Sequence, residues 1–162
     1  MKRHWSMTVF TGCCLAFLAL HCTQKAPDTR AADEATIRGV NPAWFKAYNA
    51  GDVNSLVALY AEDAVVSPPG DAAARGHNAI RELFTKETAA STAAGITLKG
   101  GPSTDVGVSK DLGWEWGTFT VTDKKGATVD AGKYVTVLGK KDGKWLILRD
   151  IWNSDAPMQA AK

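Results

Sequence analysis

The chain has 162 residues, 45% of them hydrophobic and 22% charged, a composition that fits about one globular domain and excludes a disordered or low-complexity protein. With Lys2 and Arg3 set aside, 17 basic residues balance 17 acidic ones, and no later basic run exceeds two residues. Nucleic acid is therefore not an expected partner.

Lys2, Arg3 and His4 precede an apolar run from Met7 to Leu20, the charge order and length of a secretory signal and too short to span a bilayer comfortably. All three cysteines, Cys13, Cys14 and Cys22, fall in this segment, so the remainder can form no disulfide and no cysteine metal site. Ala19-Leu20-His21-Cys22 resembles the bacterial lipoprotein signal, although that family prefers a small residue where His21 stands and leucine where Ala19 stands. The resemblance implies a lipid on Cys22 and a membrane contact through that anchor alone; cleavage and release is the alternative. Either route exports the protein, as a lipid-anchored envelope protein facing the periplasm or, after release, as a soluble periplasmic or secreted one. The expected organisation is a signal over 1–22, a polar linker over 23–33, one domain over 34–156 and a short tail over 157–162.

Within the domain, Ile37, Val40, Trp44, Ala47 and Tyr48 recur at helical spacing from about Asp33 to Asn49, interrupted by Gly39 and Pro42. Gly51 reads as the helix stop and Asp52 as the N-cap of a second helix, Val53 to Tyr60. A short strand, Ala64 to Ser67, ends at Pro68-Pro69-Gly70, because proline cannot donate to a ladder. A third helix runs from Asn78 to about Ala90 with Ile80, Leu83 and Phe84 inside, and His77 before it reads as a turn or cap residue. Strands follow at Gly95–Lys99, Thr104–Ser109, Trp114–Thr122 and Thr128–Leu138, then a final strand that ends near Asn153. Three helices followed by a curved, mostly antiparallel sheet define an α+β domain.

The last hairpin carries the most information. Two runs of β-branched and aromatic residues flank Asp142-Gly143, a strong signal for a two-residue turn. A regular ladder from that turn sets Lys133, Val135 and Val137 opposite Trp152, Asp150 and Leu148. It leaves Tyr134, Leu138, Trp145, Ile147 and Ile151 on the other face. Asp150, alone among apolar residues with Lys133 a diagonal step away, points to a pocket. If Thr122 pairs with Ala127, Trp114 and Trp116 share that face; a one-residue slip would exchange them for Glu115 and Phe119.

Trp44-Phe-Lys-Ala-Tyr-Asn-Ala-Gly-Asp52, Leu59-Tyr-Ala-Glu-Asp-Ala-Val-Val-Ser-Pro-Pro-Gly70, Arg75-Gly-His-Asn-Ala-Ile80 and the final hairpin through Arg149-Asp-Ile-Trp-Asn153 resemble the SnoaL-like and ketosteroid isomerase-like domains of the nuclear transport factor two superfamily. The resemblance covers about Glu34 to Asp155. It implies a cone-shaped barrel with a deep apolar pocket, and a sheet face that often pairs with a second subunit. In the steroid isomerases a carboxylate base, a tyrosine and a protonated aspartic acid do the chemistry. Matched here, these positions fall on Pro68, near Trp44, and on Val135, so none is kept. The tryptophan of the last strand matches at Trp152, whereas Asp150 stands where the isomerases are apolar.

Three functions follow as expectations. The first is a small-molecule pocket walled by Trp44, Tyr48, Tyr60, Trp114, Trp116, Val135, Leu148 and Trp152, with Asp150 and Lys133 as its polar groups. The second is a cofactor-free isomerase, cyclase or dehydratase with Asp150, assisted by Lys133, in acid–base work. The third is an assembly domain forming a homodimer through Tyr134, Trp145, Ile147 and Ile151. The domain's single histidine, His77, lacks a metal-binding companion, so no metal and no cofactor are expected.

Overall fold

A computed structural model describes residues 28–102 and 105–157. The expected signal segment, Cys22, most of the linker and the tail from residue 158 lie outside the described residues. The elements are α1 (Arg30–Arg38), α2 (Val40–Asn49), α3 (Val53–Val57), β1 (Tyr60–Ser67), β2 (Ala74–Arg75), α4 (Gly76–Ala94), β3 (Thr97–Gly100), β4 (Asp105–Ser109), β5 (Leu112–Thr122), β6 (Thr128–Lys141) and β7 (Lys144–Ser154).

Helices α1 and α2 are the expected first helix, broken at Gly39. Pro42 has no amide hydrogen, so the carbonyl of Arg38 loses its partner one turn on and the two segments part there. The helix starts at Arg30, earlier than expected, because Asp33 is buried and tied down. It accepts from Lys140 Nζ at 2.7 Å, Trp145 Nε1 at 2.9 Å and Thr29 Oγ1 at 2.7 Å. At the other end, Asn49 substitutes for a strand, donating to the Leu98 carbonyl at 2.7 Å and accepting from its amide at 2.9 Å. Asp52 caps α3 as expected, accepting from the Ser55 amide at 3.0 Å. That helix is shorter than the sequence indicates, since Tyr60 already belongs to β1. Helix α4 ends at Gly95, whose φ of 67° lets Ile96 N reach back to Ser91 O at 2.8 Å.

The sheet runs in the order β2-β1-β7-β6-β5-β3, with β4 on the same edge of β5 as β3. All pairs are antiparallel except β1 with β7, which the sequence did not indicate. The helices cover one face, and the core lies between, built from Ile37, Leu56, Tyr60, Val66, Ile80, Phe84, Leu138 and Ile147.

The turn at Asp142-Gly143 forms as expected and pairs Lys141 with Lys144. Regular pairing holds as far as Leu138 with Ile147, and then Val137 faces Arg149. Leu148 is thus an extra residue, a β-bulge. Everything beyond it turns over. Asp150 pairs with Thr136 and Trp152 with Tyr134, so both join the face of Leu138, Trp145 and Ile147. That single face is the core. Tyr134, Trp145 and Ile147, expected to form a dimer surface, are buried inside the monomer, and of that set only Ile151 is exposed, at 51%. Trp114 and Trp116 pair with Val137 and Val135, two residues along from the register expected of a Thr122–Ala127 pair, and keep the face of those valines, which is the outer one; they are 41% and 38% exposed. Glu115 and Phe119 point inward instead, both buried.

Candidate functional site

The inner face presents a row of paired positions across four strands: Glu115 on β5, Thr136 on β6, Asp150 on β7 and Val66 on β1. Asp150 is buried, and its Oδ2 accepts from the Tyr60 hydroxyl at 2.6 Å. That hydroxyl accepts in turn from Trp44 Nε1 at 2.8 Å. A chain of donors, indole to phenol to carboxylate, therefore joins α2, β1 and β7. Burial pushes the Asp150 carboxyl up to about 6, against the opposing pull of the Tyr60 bond. The buried Tyr60 hydroxyl is held well above its ordinary range by the same desolvation, with the Asp150 charge adding to it.

Asp150 opens onto a cavity of about 70 Å³ whose walls are Trp44, Phe45, Tyr48, Phe119, Tyr134 and Trp152, with Asn41, Glu87 and Leu98 completing it. Trp44 stacks on Tyr48 with centroids 4.9 Å apart and stands edge-on to Phe84. Tyr48 is fixed by a 3.0 Å hydrogen bond with Ser91 on α4. Glu87, also on α4, has its carboxyl raised to about 7, chiefly by desolvation and then by the charges of Asp150 and Asp71. At the far wall the Glu115 carboxylate accepts from Asn41 Nδ2 at 2.6 Å and from the Tyr134 hydroxyl at 3.3 Å. Glycine at 117 makes that last contact available, since a Cβ there would lie 2.4 Å from the Tyr134 hydroxyl.

Beyond Asn41, Phe45 and Tyr134, which it shares with the cavity, a groove of about 530 Å³ is lined by Arg38, Pro42, Lys99, Gly100, Gly101, Pro102 and Glu115. The edge-on pair of Phe45 and Tyr134, 6.3 Å apart, stands where the two spaces meet.

Of the expected pocket residues, Trp44, Tyr48, Asp150 and Trp152 line the cavity, and Tyr60 supports it from behind. Trp114, Trp116 and Val135 sit on the outer face, and Leu148 is the bulge residue, packed over Gly139. Lys133 is also on the outer face, where it pairs with Asp155 rather than Asp150. His77 donates to the Tyr60 carbonyl at 2.9 Å and so ties α4 to β1. Asn41 and Glu87 are the polar groups that sequence reading passed over. Helical spacing carried a signal for both: Asn41 lies between Ile37 and Trp44 on one stripe, and Glu87 follows Ile80 and Phe84 at seven and three. Among the described residues no group of three histidine, cysteine, aspartate or glutamate side chains is placed to hold a metal ion.

A curved mixed sheet packed against helices, with a cavity on its inner face, is the nuclear transport factor two-like fold. A sequence profile of the SnoaL-like domain matches residues 42–147, and the chain belongs to that family. Solved structures agree on the fold. A nuclear transport factor two-like protein of unknown function from Pseudomonas putida is 19% identical with a TM-score of 0.70, covering 80% of this chain and 89% of its own. A nuclear transport factor two-like protein with a cystatin-like fold from Novosphingobium aromaticivorans is 22% identical at a TM-score of 0.68 and covers 74% of this chain and 80% of its own. A ketosteroid isomerase-like protein from Erwinia carotovora is 23% identical at a TM-score of 0.62 and covers 77% and 98%. At these identities the likeness shows the fold alone. No curated protein matches the chain.

Proposed function

We propose that the domain binds a small, largely apolar molecule in the aromatic cavity, with Asp150 taking its polar group. The observation that carries this reading is a buried carboxylate, already bonded through one oxygen to Tyr60, on the wall of an aromatic cavity. Such a combination of apolar walls with few convergent polar groups is what ligand sites use. The cavity's size limits the occupant. At about 70 Å³ it falls well short of the roughly 300–1,000 Å³ of sites for drug-sized ligands, so a steroid would have to extend into the outer groove.

Thermal shift across a library of steroids, fatty acids, aromatic acids and compact polar molecules, with Asp150→Asn beside the wild type, tests the reading. Stabilisation by one class that fades in the variant is the expected result. A full response in Asp150→Asn would remove Asp150 from the site.

A second reading, a cofactor-free isomerase, cyclase or dehydratase, is favoured by the value of about 6 for Asp150. The group is mostly ionised at neutral pH yet close enough in basicity to exchange a proton, as a general base requires. Turnover of the stabilising class, lost in Asp150→Asn, would separate catalysis from binding.

We further propose that the outer sheet face, which exposes Trp114, Trp116 and Ile151 around Val135 and Val137, forms a homodimer.

A further inference from the structure

The walls of the inner cavity have a chemical bias that goes beyond small-molecule binding. Six aromatic rings and two carboxyl groups, Asp150 and Glu87, line it, with one amide and one leucine. Among the described residues no lysine or arginine does. Arg38 and Lys99 belong to the outer groove, past Phe45 and Tyr134. A third carboxylate, Glu115, stands behind Asn41 and Tyr134. Between Glu115 and Asp150 in the cross-strand row, the Thr136 hydroxyl is fully buried and has no hydrogen-bond partner among the described residues. The cavity thus offers two carboxyl groups and the π-faces of six aromatic side chains, with a third carboxylate behind its wall.

We infer that the inner cavity selects a compact organic cation, a protonated or quaternary amine. This rests on the proposed pocket and names its occupant. A cation is attracted by the faces of tryptophan, tyrosine and phenylalanine rings, and more strongly when desolvated than at an exposed site. It also neutralises two carboxylates whose proximity in a dry site otherwise costs energy, as the effect of the Asp150 charge on Glu87 shows. A neutral molecule of the same shape gains the packing but neither of these terms. An anion would face the two carboxylates directly. The small volume admits a trimethylammonium-sized group and little more.

The experiment uses isosteres on the purified protein at constant ionic strength: trimethylammonium and tetramethylammonium as cations, tert-butanol as the neutral shape and pivalate as the anion. Calorimetry should show at least one cation binding ~tenfold or more tightly than tert-butanol, with pivalate weakest. Glu87→Gln, which keeps size and hydrogen bonding, should erase most of that preference while leaving the melting curve cooperative. Cation affinity should also rise as pH is taken from about 5 to 8, as Asp150 and then Glu87 ionise. The groups that share this field are Tyr60 against Asp150, Asp71 and Lys86 near Glu87, and Glu115 at the opposite wall. Equal binding of tert-butanol, or stronger binding of pivalate, would overturn the cation and leave the pocket standing. Silence from all of these probes would also overturn it, and the pocket itself would fall only if the wider library gave no shift either.

Discussion

Asp150 carries a cost that should be visible in stability. Its carboxyl is raised from the ordinary ~4 to about 6, and that of Glu87 to about 7, so between pH ~4 and ~7 the folded chain holds more protons than the unfolded one. Stability contributed by these groups is complete below the unfolded value and declines as pH rises through the folded values. Asp33 acts in the opposite sense: Lys140, Trp145 and Thr29 hold it down at about 2, so its contribution is present above ~4 and fades toward pH 2. Urea unfolding should therefore show greatest stability on the acid side of neutrality. For Asp150 alone the loss between pH 4 and 7 is on the order of 2–3 kcal/mol. Asp150→Asn should flatten that limb, and an unchanged slope would show that the carboxylate is not desolvated. At this scale the sequence identified Asp150 by its odd company, but gave it the wrong partner. Lys133 was adjacent by ladder arithmetic, whereas Tyr60, 90 positions away, is adjacent only in space.

One element decides which residues meet. The extra residue Leu148 bends β7 and reverses the facing of all that follows, carrying Asp150 and Trp152 into the core and Ile151 out of it. Removing Leu148 leaves an unbroken ladder in which Val137 still faces Arg149 and Thr136 still faces Asp150, so Asp150 and Trp152 stay inward. The deletion should therefore keep a cooperative thermal transition, and its loss would show that the bulge itself is needed for the fold. Periodicity could not announce it, since Trp145 to Ile151 reads as a plausible strand in either facing. The helices were legible because capping is local: Asp52 and Gly51 act on groups within four residues of themselves, whereas Gly95, which caps α4, was read as the start of a strand. The parallel union of β1 with β7 joins segments some 90 positions apart and left no local mark.

For the whole molecule, the apolar face left for a partner is the outer one. Ile151→Lys should leave the fold intact and yield a monomer in sedimentation, because its side chain is half exposed. Ile147→Lys, by contrast, should unfold the chain, since a lysine at a fully buried position has no counter-charge to meet. A wild-type monomer at micromolar concentration would remove the dimer. What the sequence determined by itself was the family, the order and nature of the elements apart from β2, which it read as loop, the hairpin turn, and the aromatic stripe of Trp44 and Tyr48, because each rests on spacing along a few turns or on a short motif. The tertiary structure decided which face of the last hairpin is inside, and with it the pocket's membership. That choice belongs to the bulge and to the packing of helices on the sheet. Both faces of the hairpin are apolar enough to be buried, and only the closed fold selects between them.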